Sequence, residues 1–266
     1  MESVLADVAI KASRNVLTKD SYKQGAGRRS FISYRDIGVT DATGGRIYAV
    51  AGRLGKEAET VATGWHYHTC ELQTAYTFAG GPATFQTGED LAGNTTKQIG
   101  SQTFMCMSKG HPHNELGSTA GGTYLELVIG EMGTVPIEDP AAHLGEHADS
   151  WCTFAKREDA VWKPGEGARS FLSFWDFGIT SKTGGKVTAH IGRRIPGSQF
   201  PANGVAYRGD ALQVLFVIKG WVELVREDGT KERNEAETCL CNPAGTAYTE
   251  TAMSDDYEFI EWLIKL

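Results

Sequence analysis

Two pairs of histidines in the first half of the chain have the spacing of metal ligands. His66 and His68 are separated by one residue, so on a β-strand both imidazoles face the same side. His111 and His113 repeat that spacing further along the chain. Two such strands facing into one small barrel can place three nitrogens around one ion, and imidazole suits Fe, Zn, Mn, Ni or Cu. The pattern predicts a metal site, and the alternative is an ordinary polar strand face.

The segments that must position these histidines are predicted to be short strands joined by tight turns. The chain of 266 residues has 32 glycines, which fall between short apolar runs. Strands are predicted at Arg46–Val50, Gln73–Phe78, Tyr124–Ile129, Val187–His190, Gln213–Ile218 and Glu258–Ile264. Helical patterns are weak: residues 2–17 can form one amphipathic helix, and the segment between the two halves can hold another. The expected fold class is therefore all-β.

An internal repeat sets the expected domain organisation. Residues 25–53 and 165–193 align without a gap at an offset of 140, and the offset falls to 135 after a shorter hairpin in the second half. Identical pairs include Arg29 with Arg169, Phe31 with Phe171, Asp36 with Asp176 and Arg53 with Arg193. The predicted organisation is an N-terminal extension at 1–19, a metal-binding domain at 20–132, a linker at 133–159 and a second domain at 160–266.

The second copy lacks the histidines of the first. Ala206, Arg208 and Tyr248 occupy the positions that match His66, His68 and His113. The second domain is therefore expected to be a structural or dimerising half without metal ligands. Gln213, which matches Gln73, is retained, but one amide cannot hold a metal.

The histidine pattern and the duplication together resemble the cupin superfamily, and specifically a bicupin. His66, His68 and Gly80 match the first cupin motif, H-x-H-x3,4-E-x6-G, with Gln73 at the glutamate position. The second motif, G-x5-P-x-G-x2-H-x3-N, is matched at Gly110 and His113. It departs at three positions, which are Gln102, Ser108 and Gly117. The resemblance implies two tandem cupin barrels, of the double-stranded β-helix or jelly-roll type, with one divalent metal in the N-terminal barrel.

The same resemblance implies a set of ligands and leaves some roles open. His66, His68 and His113 match the three histidine ligands of the family. Gln73 either completes the ligand set or acts through a hydrogen bond outside it. Glu71 is open between a ligand that replaces Gln73, a base for proton transfer and a solvent-exposed carboxylate. His111 is a further ligand candidate.

The predicted function is that of a metal-dependent enzyme acting on a small enolisable or phenolic molecule. With Fe, Mn or Ni, the resemblance implies a dioxygenase that cleaves a C–C bond oxidatively. With Zn it implies a non-redox cyclase, isomerase or lyase, similar to cupin polyketide cyclases. A non-catalytic cupin that binds a metabolite or metal is the third alternative. The substrate pocket is predicted to include Tyr76, Phe78, Phe104, Cys106 and Tyr124.

The composition of the chain indicates which classes of binding partner and which cellular location to expect. The formal net charge is −7, with no basic block, so nucleic acid and anionic membranes are not expected partners. The five cysteines show no paired framework, and the chain begins without a secretory signal pattern, so a cytoplasmic location is predicted. A homodimer is expected from the family resemblance.

Overall fold

The computed structural model of the protein describes residues 9–16, 21–25, 30–55, 62–80 and 83–265. Strands predominate among these residues, and the all-β prediction is confirmed. The helices are short, and none that the structure describes is long and apolar enough to cross a membrane.

The described part of the first half contains one α-helix, α1 (Val39–Ala42), which lies between two of its strands along the chain. The strands of this half are β1 (Ser13–Val16), β2 (Lys23–Gln24), β3 (Ile32–Asp36), β4 (Ile47–Leu54), β5 (His66–His68), β6 (Leu72–Ala79), β7 (Ala83–Thr87), β8 (Lys97–Ile99), β9 (Thr103–Ser108), β10 (His113–Ser118), β11 (Thr123–Ile129) and β12 (Thr134–Pro136).

The second half follows α2 (Pro140–Glu146) and repeats the order with α3 (Ile179–Lys182). Its strands are β13 (Cys152–Lys156), β14 (Lys163–Pro164), β15 (Leu172–Asp176), β16 (Val187–Arg194), β17 (Val205–Arg208), β18 (Leu212–Lys219), β19 (Trp221–Arg226), β20 (Lys231–Glu235), β21 (Thr238–Asn242), β22 (Ala247–Met253) and β23 (Glu258–Ile264). All six predicted strands are present, and several are longer than predicted.

Each half is a barrel made of two antiparallel sheets. In the first, the seven-stranded sheet β13-β9-β6-β11-β4-β3-β2 faces the five-stranded sheet β12-β5-β10-β7-β8. In the second, the seven-stranded sheet β1-β21-β18-β23-β16-β15-β14 faces the four-stranded sheet β17-β22-β19-β20. The inward faces bury apolar side chains because successive residues of a strand alternate between the two sides of a sheet.

The two halves exchange one edge strand each. β1 pairs with β21 of the second barrel, and β13 pairs with β9 of the first. The two strands match at the repeat offset, so each copy gives the same element to its neighbour. The domain boundaries stay a prediction, but β1, β12 and β13 show that paired strands lie inside the predicted extension and linker. The exchange covers sheet edges that would otherwise leave backbone groups unpaired.

The helix predicted at residues 2–17 is wrong over Ser13–Val16, which form β1. Pairing with β21 satisfies the backbone of this segment and overrides its amphipathic pattern, while residues 1–8 lie outside the described residues. The helix predicted in the linker is confirmed as α2. Its first turn is capped by Asp139, whose carboxylate accepts hydrogen bonds from the backbone nitrogens of Ala141 and Ala142.

The largest hydrophobic core lies between the barrels, where the two seven-stranded sheets face each other. The rings of Phe104 and Phe177 stack with centroids 3.9 Å apart across this junction. Leu125 and Trp262, at 0% and 1% exposure, are buried in the same core. The two barrels are therefore held together by apolar packing as well as by the exchanged strands.

Candidate metal centre

Three histidines meet inside the first barrel because the strands that carry them are adjacent. His66 of β5 lies directly opposite His113 of β10, and His68 follows on the same face of β5. All three side chains are buried, and one ring nitrogen from each lies within 4.8 Å of the other two. Among the described residues, this is the one group of His, Cys, Asp or Glu side chains arranged to hold a metal ion.

The backbone orients each ring. His66 Nδ1 lies 2.7 Å from the carbonyl oxygen of Gly64, and His113 Nδ1 lies 3.2 Å from that of His111. His68 Nδ1 contacts the Thr134 hydroxyl at 3.2 Å. In a neutral imidazole whose Nδ1–H donates to a carbonyl, Nε2 carries the lone pair, and in that tautomer His66 and His113 would present Nε2 to a metal.

The surroundings of His113 favour its neutral form. Burial lowers its pKa well below the ordinary value, and the neighbouring rings of His66 and His68 lower it further. A neutral imidazole is the form that ligates metal, so the protein does not have to expel a proton from His113 at neutral pH before an ion binds.

Gln73 completes the set of donors from the opposite sheet. Its Nε2 donates a 2.6 Å hydrogen bond to Oε1 of Glu126, and both side chains are buried. The amide oxygen of Gln73 accepts no hydrogen bond from the described residues, although it is buried and lines the same cavity as the histidines. A buried oxygen of this kind costs free energy unless it has a partner, and a divalent ion would supply one. Three imidazole nitrogens and one amide oxygen therefore fit a divalent metal.

Glu126 also belongs to this site, although neither cupin motif includes it. It is 3% exposed, on β11, and orients Gln73 through the hydrogen bond described above. A signal was present in the repeat, because Glu126 matches Glu261 and both copies keep the Gln–Glu pair. A carboxylate retained on a buried strand in both halves indicates a partner inside the barrel.

The three histidines and Gln73 line a cavity of about 350 Å³ between the two sheets of the first barrel. Most of its walls are apolar or hydroxyl-bearing side chains. They include Ile32, Leu54, Thr63, Ala75, Thr77, Phe85, Ile99, Thr103, Met105, Met107, Ser118 and Tyr124. Two carboxylates, Glu115 and Glu126, line it as well. This volume lies near the lower end of the range for small-molecule sites.

Four of the five predicted pocket residues do not line this cavity. Tyr124 does, but Tyr76, Phe104 and Cys106 belong to the core between the barrels, and Phe78 packs against that core. The sequence did not give the register of these strands, and the pocket residues predicted on β6 and β9 lie on the face opposite the cavity. The alternating residues on the cavity face are Gln73, Ala75 and Thr77 on β6, and Thr103, Met105 and Met107 on β9. A shift of one residue exchanges the two faces of a strand.

Glu71 lies outside the cavity, so its predicted role as a base or ligand is not supported. It precedes β6, and its carboxylate contacts the ammonium group of Lys109 at 3.3 Å near the surface. The physical reason is that β6 begins at Leu72, so the inward alternation starts beyond Glu71. Glu115 and Glu126 are the carboxylates that line the cavity.

His111 is buried but is not in the group of side chains arranged to hold a metal ion. Its Nδ1 lies 3.3 Å from the Ser150 hydroxyl, and its Nε2 lies 3.4 Å from the Glu89 carboxylate. Burial raises the pKa of Glu89, but hydrogen bonds with His111 and Thr87 outweigh it and lower that pKa to about 2. His111 precedes β10 and is not part of the inward strand face, so the structure does not bring it into the candidate centre.

The second barrel holds a closed polar network at the equivalent place. Gln213 donates to the Tyr248 hydroxyl at 3.0 Å and also to Glu261. Its amide oxygen accepts a 2.7 Å hydrogen bond from Asn242, and His190 contacts Glu261 at 2.9 Å. The amide oxygen that is unpartnered in the first barrel is therefore occupied here by a protein donor.

Solved structures with the same architecture cover nearly the whole chain. Protein YlbA from E. coli superposes with a TM-score of 0.60 at 10% identity, covering 99% of this chain and 96% of its own. A mutant of the Bacillus subtilis oxalate decarboxylase gives 0.63 at 13% identity, covering 97% and 78%. AerE from Microcystis aeruginosa gives 0.57 at 11%, covering 89% and 93%. At these identities the likeness concerns the fold. No protein-family model matches the chain, and no curated protein matches its sequence.

Proposed function

We propose that this chain, which has the bicupin fold, is a metal-dependent enzyme acting on a small enolisable or phenolic molecule inside its first barrel. One observation carries the proposal. Three buried histidines, each with Nδ1 held by a neighbouring oxygen, share an apolar cavity with the unpartnered amide oxygen of Gln73. His66, His68, His113 and Gln73 would hold the ion.

The donor set favours an anionic ligand. All four donors are neutral, so no carboxylate ligand compensates the charge of a divalent ion directly. The nearest compensating charge in this set is Glu126, which is hydrogen-bonded to Gln73. When bound, such an ion supplies Lewis-acid polarisation of a substrate oxygen and, if it is redox-active, access to O2 chemistry. An enolate or phenolate oxygen would complete the charge balance in the open positions.

The first candidate reaction is a dioxygenase reaction with Fe, Mn or Ni. An enolate or phenolate reacts with one O2, a C–C bond breaks, and both oxygen atoms enter the products, so the substrate supplies all the electrons. The apolar walls of the cavity, including Phe85, Met105 and Met107, limit the access of water to the reacting atoms. One solved structure with this fold, the Bacillus subtilis oxalate decarboxylase, has Mn(II) centres, which supports a redox-active ion here.

The second candidate is a non-redox reaction with Zn, such as isomerisation, cyclisation or elimination. A carboxylate in the same cavity favours it. Glu115 lines the wall and accepts a hydrogen bond from the Ser118 hydroxyl, so a proton acceptor lies in the same cavity as the three histidines. Such reactions need proton transfer and no oxidant.

The test begins with elemental analysis of protein purified without added metal. We expect about one divalent ion per chain, because one group of ligands lines the cavity. Iron, manganese or nickel is followed by oxygen-electrode assays with catechols, flavonols and β-diketones. Labelled O2 entering the product of the parent protein, but not of His113→Ala, supports the dioxygenase. Zinc with anaerobic turnover supports the non-redox reaction.

Two results would contradict an enzyme. Absence of metal after reconstitution removes the basis of the proposal. Saturable binding of a ligand that is recovered unchanged, with and without O2, indicates a non-catalytic cupin. The homodimer and the cytoplasmic location stay predictions, to be checked by sedimentation and by fractionation of cells.

A further inference from the structure

A second cavity of about 220 Å³ lies between the two barrels. Five of the twelve described lining residues are aromatic, and two are charged, Arg53 of the first barrel and Glu237 of the second. The described lining consists of Tyr22, Ala51, Gly52, Arg53, Tyr76, Phe78, Gln102, Thr123, Tyr124, Phe216, Ile218 and Glu237. Tyr124 is the one described residue that also lines the cavity of the candidate metal centre. The two cavities are therefore neighbours that share only Tyr124 among the described lining residues.

Arg53 supplies a positive charge to this second cavity. Its guanidinium lies 4.0 Å from the centre of the Tyr22 ring. Among the residues that the structure describes, no carboxylate lies within ion-pair distance of Arg53. A partly buried guanidinium that stacks on an aromatic ring keeps its in-plane N–H donors available for an anion.

The internal repeat provides a direct comparison for this arrangement. Arg193 matches Arg53, and its guanidinium lies 3.7 Å from the ring of Trp162, which matches Tyr22. In the second barrel, Arg193 lies opposite Glu258 across β16 and β23. In the first barrel, Arg53 lies opposite Thr123 across β4 and β11.

In the second barrel, Glu258 forms an ion pair. Both terminal nitrogens of Arg157 contact the Glu258 carboxylate, at 2.5 and 2.7 Å, and the Arg157 guanidinium lies 5.3 Å from the Trp162 ring. The first copy cannot form this pair, because its sequence has Thr123 in place of Glu258 and Leu17 in place of Arg157. The first copy therefore keeps Arg53 beside an aromatic ring but lacks both members of the Arg157–Glu258 pair. The carboxylate that lines its cavity is Glu237 of the second barrel, and it forms no ion pair with Arg53.

We propose that the cavity between the barrels binds a small aromatic carboxylate. The carboxylate pairs with Arg53, at the place that Glu258 occupies opposite Arg193 in the second barrel. The ring lies among the aromatic walls formed by Tyr22, Phe78 and Phe216. The volume is below the roughly 300–1,000 Å³ of sites for drug-sized ligands, so the occupant is limited to a single ring with small substituents.

This proposal does not depend on the metal-dependent activity. Arg53 and the aromatic walls belong to a different cavity from the three histidines, so binding is expected in metal-free protein. In metal-free protein a carboxylate cannot bind by ligating a metal ion, so this second mode of binding is excluded.

The experiment measures binding of benzoate to chelator-treated protein by calorimetry and ligand-observed NMR. We expect one saturable site per chain. Benzamide, which has the same ring without the charge, should bind at least about tenfold more weakly. Arg53→Met should weaken benzoate binding by a similar factor, and Thr123→Glu should abolish it by placing a carboxylate beside Arg53. Arg193→Met is the matched control and should leave binding unchanged.

Three results would overturn the proposal. They are no saturable binding at millimolar benzoate, equal weakening by Arg53→Met and Arg193→Met, and loss of binding in metal-free His68→Ala, which would place benzoate in the histidine cavity. If Arg53→Met or Thr123→Glu fails to fold, as judged by the denaturation midpoint, the comparison of benzoate with benzamide on the parent protein decides. Equal affinities for the two ligands then contradict a carboxylate site.

Discussion

The side-chain nitrogen of Gln73 lies 2.6 Å from the carboxylate of Glu126, and this hydrogen bond determines which end of the amide remains for a ligand. A carboxylate only accepts hydrogen bonds, so the amide must present its nitrogen to Glu126. Its oxygen, which is unpartnered among the described residues, would then serve as a fourth donor beside the histidines. Glu126 is therefore expected to act on metal binding through Gln73.

Removing Glu126 should weaken metal binding without removing a ligand. We expect Glu126→Ala to lower metal affinity by roughly 10–100-fold, the usual cost of losing a partner that orients a ligand. Glu126→Gln keeps an oxygen that can accept from Gln73 and should lose much less. Competition with a chromogenic chelator measures both affinities. Equal affinities for the parent protein and Glu126→Ala would show that Gln73 does not depend on this hydrogen bond.

Loss of one histidine from the triad should abolish stoichiometric metal. We expect the metal content of His68→Ala to fall from about one ion per chain to a trace, because two imidazoles and an amide cannot hold a divalent ion firmly. Elemental analysis after dialysis provides the measurement. His147→Ala, outside the triad, is the control and should keep its ion. A full complement of metal in His68→Ala would remove this residue from the ligand set.

The metal-free protein should lose stability as the pH falls below about 6.5, the ordinary pKa of histidine. The pKa of folded His113 is lowered by burial and by its neighbouring histidines, so the unfolded chain takes up a proton that the folded chain does not. Stability is complete above the unfolded pKa and falls by up to about 1.4 kcal/mol per pH unit for this one proton, until the pH reaches the folded pKa. Urea unfolding at several pH values measures this slope, and His113→Leu should have a shallower one. The same slope in both proteins would show that His113 is protonated in the folded state.

The core between the barrels should be sensitive to a substitution that the metal centre tolerates. We expect Phe104→Ala to reduce the free energy of unfolding by about 3–5 kcal/mol, because its buried ring stacks on Phe177. Metal content should stay near the parent value. Met105→Ala, the next residue on β9, faces the existing cavity and should cost less. The opposite order of destabilisation in urea unfolding would contradict the observed register of β9.

Much of the candidate site could be predicted from short-range patterns. The His-x-His spacing places two rings on one strand face by the pleat of any β-strand, and the repeat indicates where the chain begins its second copy. Gln73 follows from its place in the cupin motif. The pocket walls did not follow, because alternation alone cannot say which of two apolar faces of β6 and β9 is turned inward. Both faces are buried here, one by the metal cavity and one by the second barrel.

The amino-acid sequence by itself determined the all-β class, the duplication and the three histidines, since each depends on residue types at fixed spacings. Tertiary structure decided the rest. The pairing of β5 with β10 brings His66 and His113 together, and the opposite sheet supplies Gln73 with Glu126. It also decided that β1 pairs with β21 of the second barrel and that β13 pairs with β9 of the first. These features depend on contacts between residues far apart along the chain, which no local pattern specifies.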